Sequence, residues 1–158
     1  MAEAVAVQLL GDARHHIPVL AEWYKAEWAD WFGETPLSEI EADLRAVAQR
    51  AQLPFALVAL NTNGQPLGLC SVRDELFEPY PHAGPWLRGL YVHTPYRGQG
   101  IAGLLIAAAK QHAKPMGIDK LYAATHDAIG TFERAGWLGF DSVLHERQTL
   151  TIFATKIG

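Results

Sequence analysis

A single cysteine, Cys70, rules out a disulfide within the chain. Together with the absence of a cysteine framework, it points to a reducing, cytoplasmic setting. Cys70 stands in the apolar run Leu67 to Val72, where a thiol is expected to act as a small core residue and not as a nucleophile. No apolar run approaches the roughly 20 residues that span a bilayer, so no membrane segment is expected. Met1-Ala2-Glu3-Ala4 lacks the basic start and apolar block of a signal peptide. Basic residues are outnumbered, 13 to 17, for a formal charge of −4, which argues against a nucleic-acid binder. No Cys/His spacing suggests a metal site. Repeats, low-complexity tracts and linkers are also missing. The 158 residues therefore read as a single domain, 1–158, large enough to bury its own core.

What the chain does have is a succession of short periodic segments. Ala4 to Leu10 reads as a strand. A helix from Pro18 carries Leu20, Trp23, Tyr24, Glu27, Trp28 and Trp31, and Gly33 stops it. Ser38 and Glu41 form a capping-box pair before a second helix with the stripe Ile40, Leu44, Val47 and Ala51. Phe55 to Leu60 and Leu67 to Arg73 read as strands joined at Asn63-Gly64. Asp74 to Pro85 is a loop, and Trp86 to Val92 a fourth strand that Pro95 prevents from continuing. Ile101 to His112 is a helix presenting Ile101, Leu104, Leu105, Ala108 and Ala109. Leu121 to Thr125 is the fifth strand. Asp127 can cap a short helix, Ala128 to Ala135, closed by Gly136. Asp141 to Leu144 and Gln148 to Thr155 read as a final antiparallel pair. The order implies an α+β (mixed α/β) domain with helices over a mostly antiparallel sheet.

Between the fourth strand and the helix after it stands Arg97-Gly98-Gln99-Gly100-Ile101-Ala102. Glycines before a helix let backbone N–H groups converge on a phosphate. A Walker loop would need Lys and Ser/Thr after the last glycine, where this chain has Ile101-Ala102. A dinucleotide fingerprint lies earlier in its chain and carries a third glycine, a pattern Gly103 only half meets.

Leu90-Tyr91-Val92, Pro95-Tyr96-Arg97-Gly98-Gln99-Gly100-Ile101-Ala102 and Leu104-Leu105 together resemble the acyl-CoA site of the GNAT superfamily of N-acetyltransferases. Arg97, Gly100 and Ala102 fill the fixed positions of its Gln/Arg-x-x-Gly-x-Gly/Ala signature. Leu121 to Thr125, followed by Phe132-Glu133-Arg134-Ala135-Gly136-Trp137, is similar to its second block. The resemblance implies a sheet of six or seven strands flanked by about four helices. It also implies transfer of the acetyl group of acetyl-CoA directly to a primary amine, on a small molecule, peptide or protein.

By the same resemblance, the amides of Arg97, Gly98, Gln99, Gly100, Ile101, Ala102 and Gly103 hold the coenzyme A pyrophosphate. The backbone of Leu90, Tyr91 and Val92 pairs with the pantetheine arm, and the Tyr91 N–H faces the oxyanion. Phe132 and Arg134 border the cofactor. The position of Phe132 often carries a Tyr that protonates the leaving thiolate, and Phe132 cannot. The base is open among Asp74, Glu75 and Glu78, with His82, His93 and Glu27 as further candidates, while His126 or Asp127 could assist the leaving group through water. Glu27, Trp28, Tyr80 and His82 are expected to border the acceptor, and the acidic loop favours a cationic one. The missing acid leaves a second expectation, a non-catalytic acyl-CoA sensor on the same scaffold. An exposed edge at Gln148 to Thr155 suggests a homodimer.

Overall fold

The computed structural model describes residues 4–158, so Met1, Ala2 and Glu3 of the leader reading lie outside the described residues. Seven strands form one sheet in the order β1-β2-β3-β4-β5-β7-β6. They are β1 (Ala6–Leu9), β2 (Phe55–Leu60), β3 (Pro66–Arg73), β4 (Trp86–Val92), β5 (Lys120–Thr125), β6 (Leu138–His145) and β7 (Gln148–Lys156). Among the described residues five α-helices accompany them: α1 (Ile17–Glu27), α2 (Ala29–Phe32), α3 (Leu37–Ala46), α4 (Ile101–Ala113) and α5 (Ile129–Arg134). Every neighbouring pair is antiparallel except β4–β5. The α+β expectation is met.

The sheet buries both faces. Phe55, Leu57, Leu67, Val72, Leu87 and Leu121 pack with Ile101, Leu105, Ile106 and Ala109 of α4. Ala56, Val58, Leu60 and Leu69 pack on the opposite face against Leu20, Ala21 and Tyr24 of α1 and Ile40 and Leu44 of α3. Each large apolar side chain so placed contributes about 1.5–3 kcal/mol. The alternation of a strand sends successive residues of β2 to opposite layers, so β2 is buried at every position.

Sequence and structure differ where tertiary contacts override local signals. The first helix breaks at Trp28 (φ −113°, ψ 46°), and α2 resumes for one turn before Gly33. Ser38 lies inside α3, which starts after the extended Pro36, and makes no capping bond. Asp127 makes no capping bond to α5; just ahead of that helix Thr125 Oγ1 accepts from the Ala128 N–H at 3.0 Å. Ala51 is exposed beyond the end of α3, and Leu104 lies on the outer face of α4. β7 is not an edge. It lies between β5 and β6, so the expected Gln148 to Thr155 dimer edge is already paired on both sides. The edge strands are β1 and β6, and β6 carries the exposed Leu138, Phe140 and Leu144.

The Asn63-Gly64 turn forms as expected, with Gly64 at φ +76°. Asn61 Oδ1 accepts from the N–H groups of Asn63 and Gln65, both at 2.9 Å.

Cys70 is fully buried, as expected, and burial pushes its thiol up to about 12. The unfolded thiol ionises near 8.5, so as pH rises the unfolded state loses its proton first and is favoured. Stability is therefore full below about 8.5 and falls as pH climbs toward the folded value, at about 1.4 kcal/mol per pH unit. Urea unfolding should give a stability about 2 kcal/mol lower at pH 10 than at pH 8. Cys70→Ala should remove most of that difference. Equal stabilities of the unmodified chain at the two pH values would contradict the account.

Candidate active site

β4 is the strand around which the site is built. β3 pairs along one side of it, whereas β5 meets it only at Trp86↔Tyr122, beside a 3.0 Å bond from the Tyr122 N–H to the Pro85 carbonyl. Beyond that point the two strands share no further pair, leaving an open slot between them. A bulge accompanies the parting. Leu69 faces Tyr91 while Ser71 faces Arg88, so β4 takes three steps where β3 takes two. Gly89 supplies the bulge at φ +62°. Its carbonyl accepts from the Tyr24 hydroxyl at 2.7 Å. Burial raises the ionisation of Tyr24 far above its ordinary value, so it is a neutral donor. An isolated glycine inside a strand pattern is the sequence signal for such a bulge; Gly89 and Tyr24 were not among the expected site residues.

Which backbone groups face the slot follows from one bond and the strand register. The His93 N–H donates to the Leu67 carbonyl of β3 at 2.9 Å, so the Val92 carbonyl in the same peptide plane points away from β3. Two residues back along the strand, Tyr91 pairs with Leu69 and directs its N–H toward β3 as well. The expected oxyanion donor, Tyr91 N–H, is therefore turned away from the slot. The Val92 N–H faces it instead, as does the Leu90 carbonyl, which shares a peptide plane with the Tyr91 N–H. The side chains alternate accordingly. Leu90 and Val92 pack on the α4 side, and Tyr91 is buried on the α1 side.

β4 ends in a helical turn, Thr94–Tyr96, that closes on itself. The Arg97 N–H donates to the Thr94 carbonyl at 3.3 Å, so this amide, expected to be free, is already paired. Gly98 and Gly100 adopt φ +79° and +80°. The first bond returning from α4 is Leu104 N–H to Gly100 carbonyl, at 3.2 Å. Arg97 (φ −70°, ψ 155°) and Gly98 (φ +79°) form a turn that directs the Gln99 N–H back toward the Tyr96 carbonyl, whereas among the described residues the N–H groups of Gly98, Gly100, Ile101, Ala102 and Gly103 meet no acceptor within the protein. A Cβ built on Gly98, Gly100 or Gly103 would meet no atom within 4 Å, so the array opens on free space. Five free donors at the positive end of a 13-residue helix suit a pyrophosphate.

The Arg97 side chain folds back over β4. Its Nε donates to the Val92 carbonyl at 2.7 Å, its Nη2 lies 3.5 Å from Glu27 Oε2, and its guanidinium sits 5.5 Å above the Tyr91 ring. Trp28 meets the same ring edge-on at 6.2 Å. His93 stacks on Trp23 at 4.3 Å, and its Nδ1 is 3.1 Å from the Tyr91 hydroxyl. The break at Trp28 thus brings the end of α1 to the end of β4. Glu27, a candidate base, is an ion-pair partner there.

The loop 74–85 lies at the opposite end of β4. Glu75 bridges Arg73 at 3.1 Å and Arg88 at 3.2 Å, one carboxylate oxygen to each. Arg73 also binds Asp43 of α3 through two bonds, at 3.0 and 2.7 Å. Burial works against the Arg73 charge, but Asp43 and Glu75 more than offset it. Glu75 is thus a structural counterion and not a free base. Asp74, Glu78 and His82 are exposed. The Tyr80 hydroxyl donates to Asp141 of β6, its ring against Phe140, and Phe77 packs between Trp86 and His145. The acidic loop is therefore tied down to β6.

The two residues expected beside the cofactor differ in exposure. Phe132 is buried against Trp137 and Phe153 and shows no surface to the slot. Arg134 is exposed and folds back over Gly130. His126 Nδ1 is engaged 3.2 Å from the Thr149 carbonyl. Among the described residues no His/Cys/Asp/Glu group could hold a metal, and no helix is long and apolar enough to cross a membrane.

Solved structures share this architecture. An aminoglycoside 6'-acetyltransferase type Ii superposes with a TM-score of 0.75 at 14% identity, covering 96% of this chain and 97% of its own. The spermidine/spermine N-acetyltransferase of Vibrio cholerae gives 0.72 at 15% identity, covering 97% and 95%. The aminoglycoside acetyltransferase AAC(6')-Ib, in complex with coenzyme A, gives 0.69 at 18%, covering 97% and 95%. At such identities the likeness is one of fold. No protein of curated function matches the sequence. The profile of the acetyltransferase (GNAT) family, whose acyl donor is acetyl-CoA, matches residues 17–137, and the chain belongs to that family.

Proposed function

We propose that the site moves the acetyl group of acetyl-CoA directly to a primary amine of a small cationic acceptor. The observation that carries this reading is the array of five unpartnered amides, those of Gly98 and of Gly100 to Gly103, standing beyond the far end of the β4–β5 slot. These amides hold the pyrophosphate. Val92 N–H and the Leu90 carbonyl pair with the pantetheine arm as an added strand would. The thioester supplies an activated acetyl group and a thiol leaving group. That thiol ionises near 8.5 and departs without a dedicated acid, which suits the apolar Phe132.

The amine must lose a proton before attack, since a Lys-like amine ionises near 10.4. With Glu75 and Glu27 engaged, Asp74 and Glu78 are the exposed carboxylates left to receive that proton, directly or through water. The acceptor enters between the α1–α2 break and the loop 74–85, bordered by Trp28, Tyr80 and His82. Its cationic class is supported by these exposed carboxylates. The polyamine and aminoglycoside acceptors named for structures of the same fold point the same way. A cytosolic setting suits the single reduced Cys70.

Coenzyme A at 100 times its dissociation constant should stabilise the protein by about 2.7 kcal/mol. Thermal unfolding with and without coenzyme A reads this directly, and no shift would remove the pyrophosphate assignment. Thiol release from acetyl-CoA across polyamines, aminoglycosides, peptide amines and acidic amino acids tests the acceptor. Turnover confined to acidic or neutral amines would overturn the cationic reading.

A further inference from the structure

Arg97 holds a position that the donor itself needs. Its Nε bonds the Val92 carbonyl at 2.7 Å. That carbonyl points away from β3, at the end of the strand that leads into the glycine turn. A second contact, Glu27 Oε2 at 3.5 Å from Nη2, and a third, the Tyr91 ring at 5.5 Å, keep the guanidinium there. The amide array that begins one residue later is empty of protein acceptors. The only positive side chain of the turn is thus folded back on the strand, with a carboxylate of α1 holding it, while the anion site beside it stands open.

We propose that Arg97 is a latch over the β4–β5 slot, held closed by Glu27 and opened by the donor's pyrophosphate. The inference rests on the pyrophosphate assignment above. Two negative charges arriving at Gly98 to Gly103 compete with the single carboxylate of Glu27 for the guanidinium. Once Arg97 swings to the phosphates, the Val92 carbonyl is released to pair with the pantetheine amide. Pantetheine alone brings no charge to draw Arg97 away and must break its bonds without compensation. The latch therefore makes the slot selective for donors that carry the nucleotide pyrophosphate, and Glu27 is the positioning residue that sets its threshold.

Calorimetric titration of coenzyme A and of pantetheine into the unmodified chain, Arg97→Met and Glu27→Gln tests this. In Arg97→Met the two ligands should respond with opposite sign. Coenzyme A should weaken about tenfold, having lost a charge-assisted contact, while pantetheine should tighten about three- to tenfold, having gained an open carbonyl. Glu27→Gln should tighten both by about two- to fivefold, the worth of an exposed ion pair. An arginine that merely binds phosphate would leave pantetheine unchanged in Arg97→Met. A purely structural one would weaken both ligands. Either result overturns the latch, as does pantetheine binding that stays undetectable in both variants. Failure of coenzyme A to bind the unmodified chain would instead defeat the parent assignment.

Discussion

Replacing Gly100 with valine is expected to raise the Michaelis constant for acetyl-CoA on the order of a hundredfold. Gly100 is the residue before α4 and sits at φ +80°. A β-branched residue there costs about 1–3 kcal/mol of backbone strain. A Cβ at Gly100 meets no atom within 4 Å, so nothing in the protein forbids the side chain itself. The strain is relieved by rotating the backbone to negative φ, which re-aims the peptide groups on either side. The N–H groups of Gly100 and Ile101 then leave the convergent array. Two bonds to a charged ligand, taken at the low end of about 1.5–3 kcal/mol each, account for the expected loss. Because the turn is exposed, the melting temperature without ligand should move little. Steady-state kinetics with acetyl-CoA varied reads the first effect and thermal unfolding the second. An unchanged Michaelis constant would place the pyrophosphate elsewhere.

The second large effect is expected at the bulge. Gly89→Ala should destabilise the protein by about 3 kcal/mol, a fall of roughly 6–12 °C in melting temperature. Two costs combine. An alanine at φ +62° is strained, and its Cβ would lie 2.6 Å from the Tyr24 hydroxyl. Tyr24 must then move, leaving the Gly89 carbonyl without its 2.7 Å donor. The bulge also aims Leu90, so kcat should fall further than stability alone explains. Tyr24→Phe removes the clashing oxygen along with the bond. The double variant should therefore be more stable than the sum of the single losses implies. Strict additivity in a double-mutant cycle would mean that Tyr24 and Gly89 do not act on each other.

Much of the donor side was legible from residue types alone. β4 falls on Trp86–Val92 as the apolar run and Pro95 imply, and α4 starts at Ile101 as the glycines imply. Such signals are local. The departures depend on partners far along the chain. Nothing between Trp23 and Phe32 breaks a helix by composition, yet α1 stops at Trp28, where Tyr24 and Tyr91 contact the indole. The direction of the Tyr91 N–H is fixed by register with β3, which hydropathy does not record. Glu75 reads as a free carboxylate until Arg88, thirteen residues on, is folded beside it. Phe132 holds the expected motif position, but Phe153 from β7 stacks on it and closes it into the core. The acceptor side was least legible because it is assembled from the α1–α2 break and a loop anchored to β6.

The place of β7 bears on how the chain is made. β7 lies between β5 and β6 yet is synthesised after both. On the ribosome, β1 to β4 can zip up in order as a meander, each new strand finding its partner already present. β5 cannot gain its second neighbour, nor β6 its first, until residues 148–156 have emerged. Through that interval β5 offers an open row of backbone donors and acceptors, and Phe132 lacks the ring of Phe153. A nascent chain stalled or cut short before Gln148 thus carries every residue of the glycine turn and still leaves one wall of the slot unsupported.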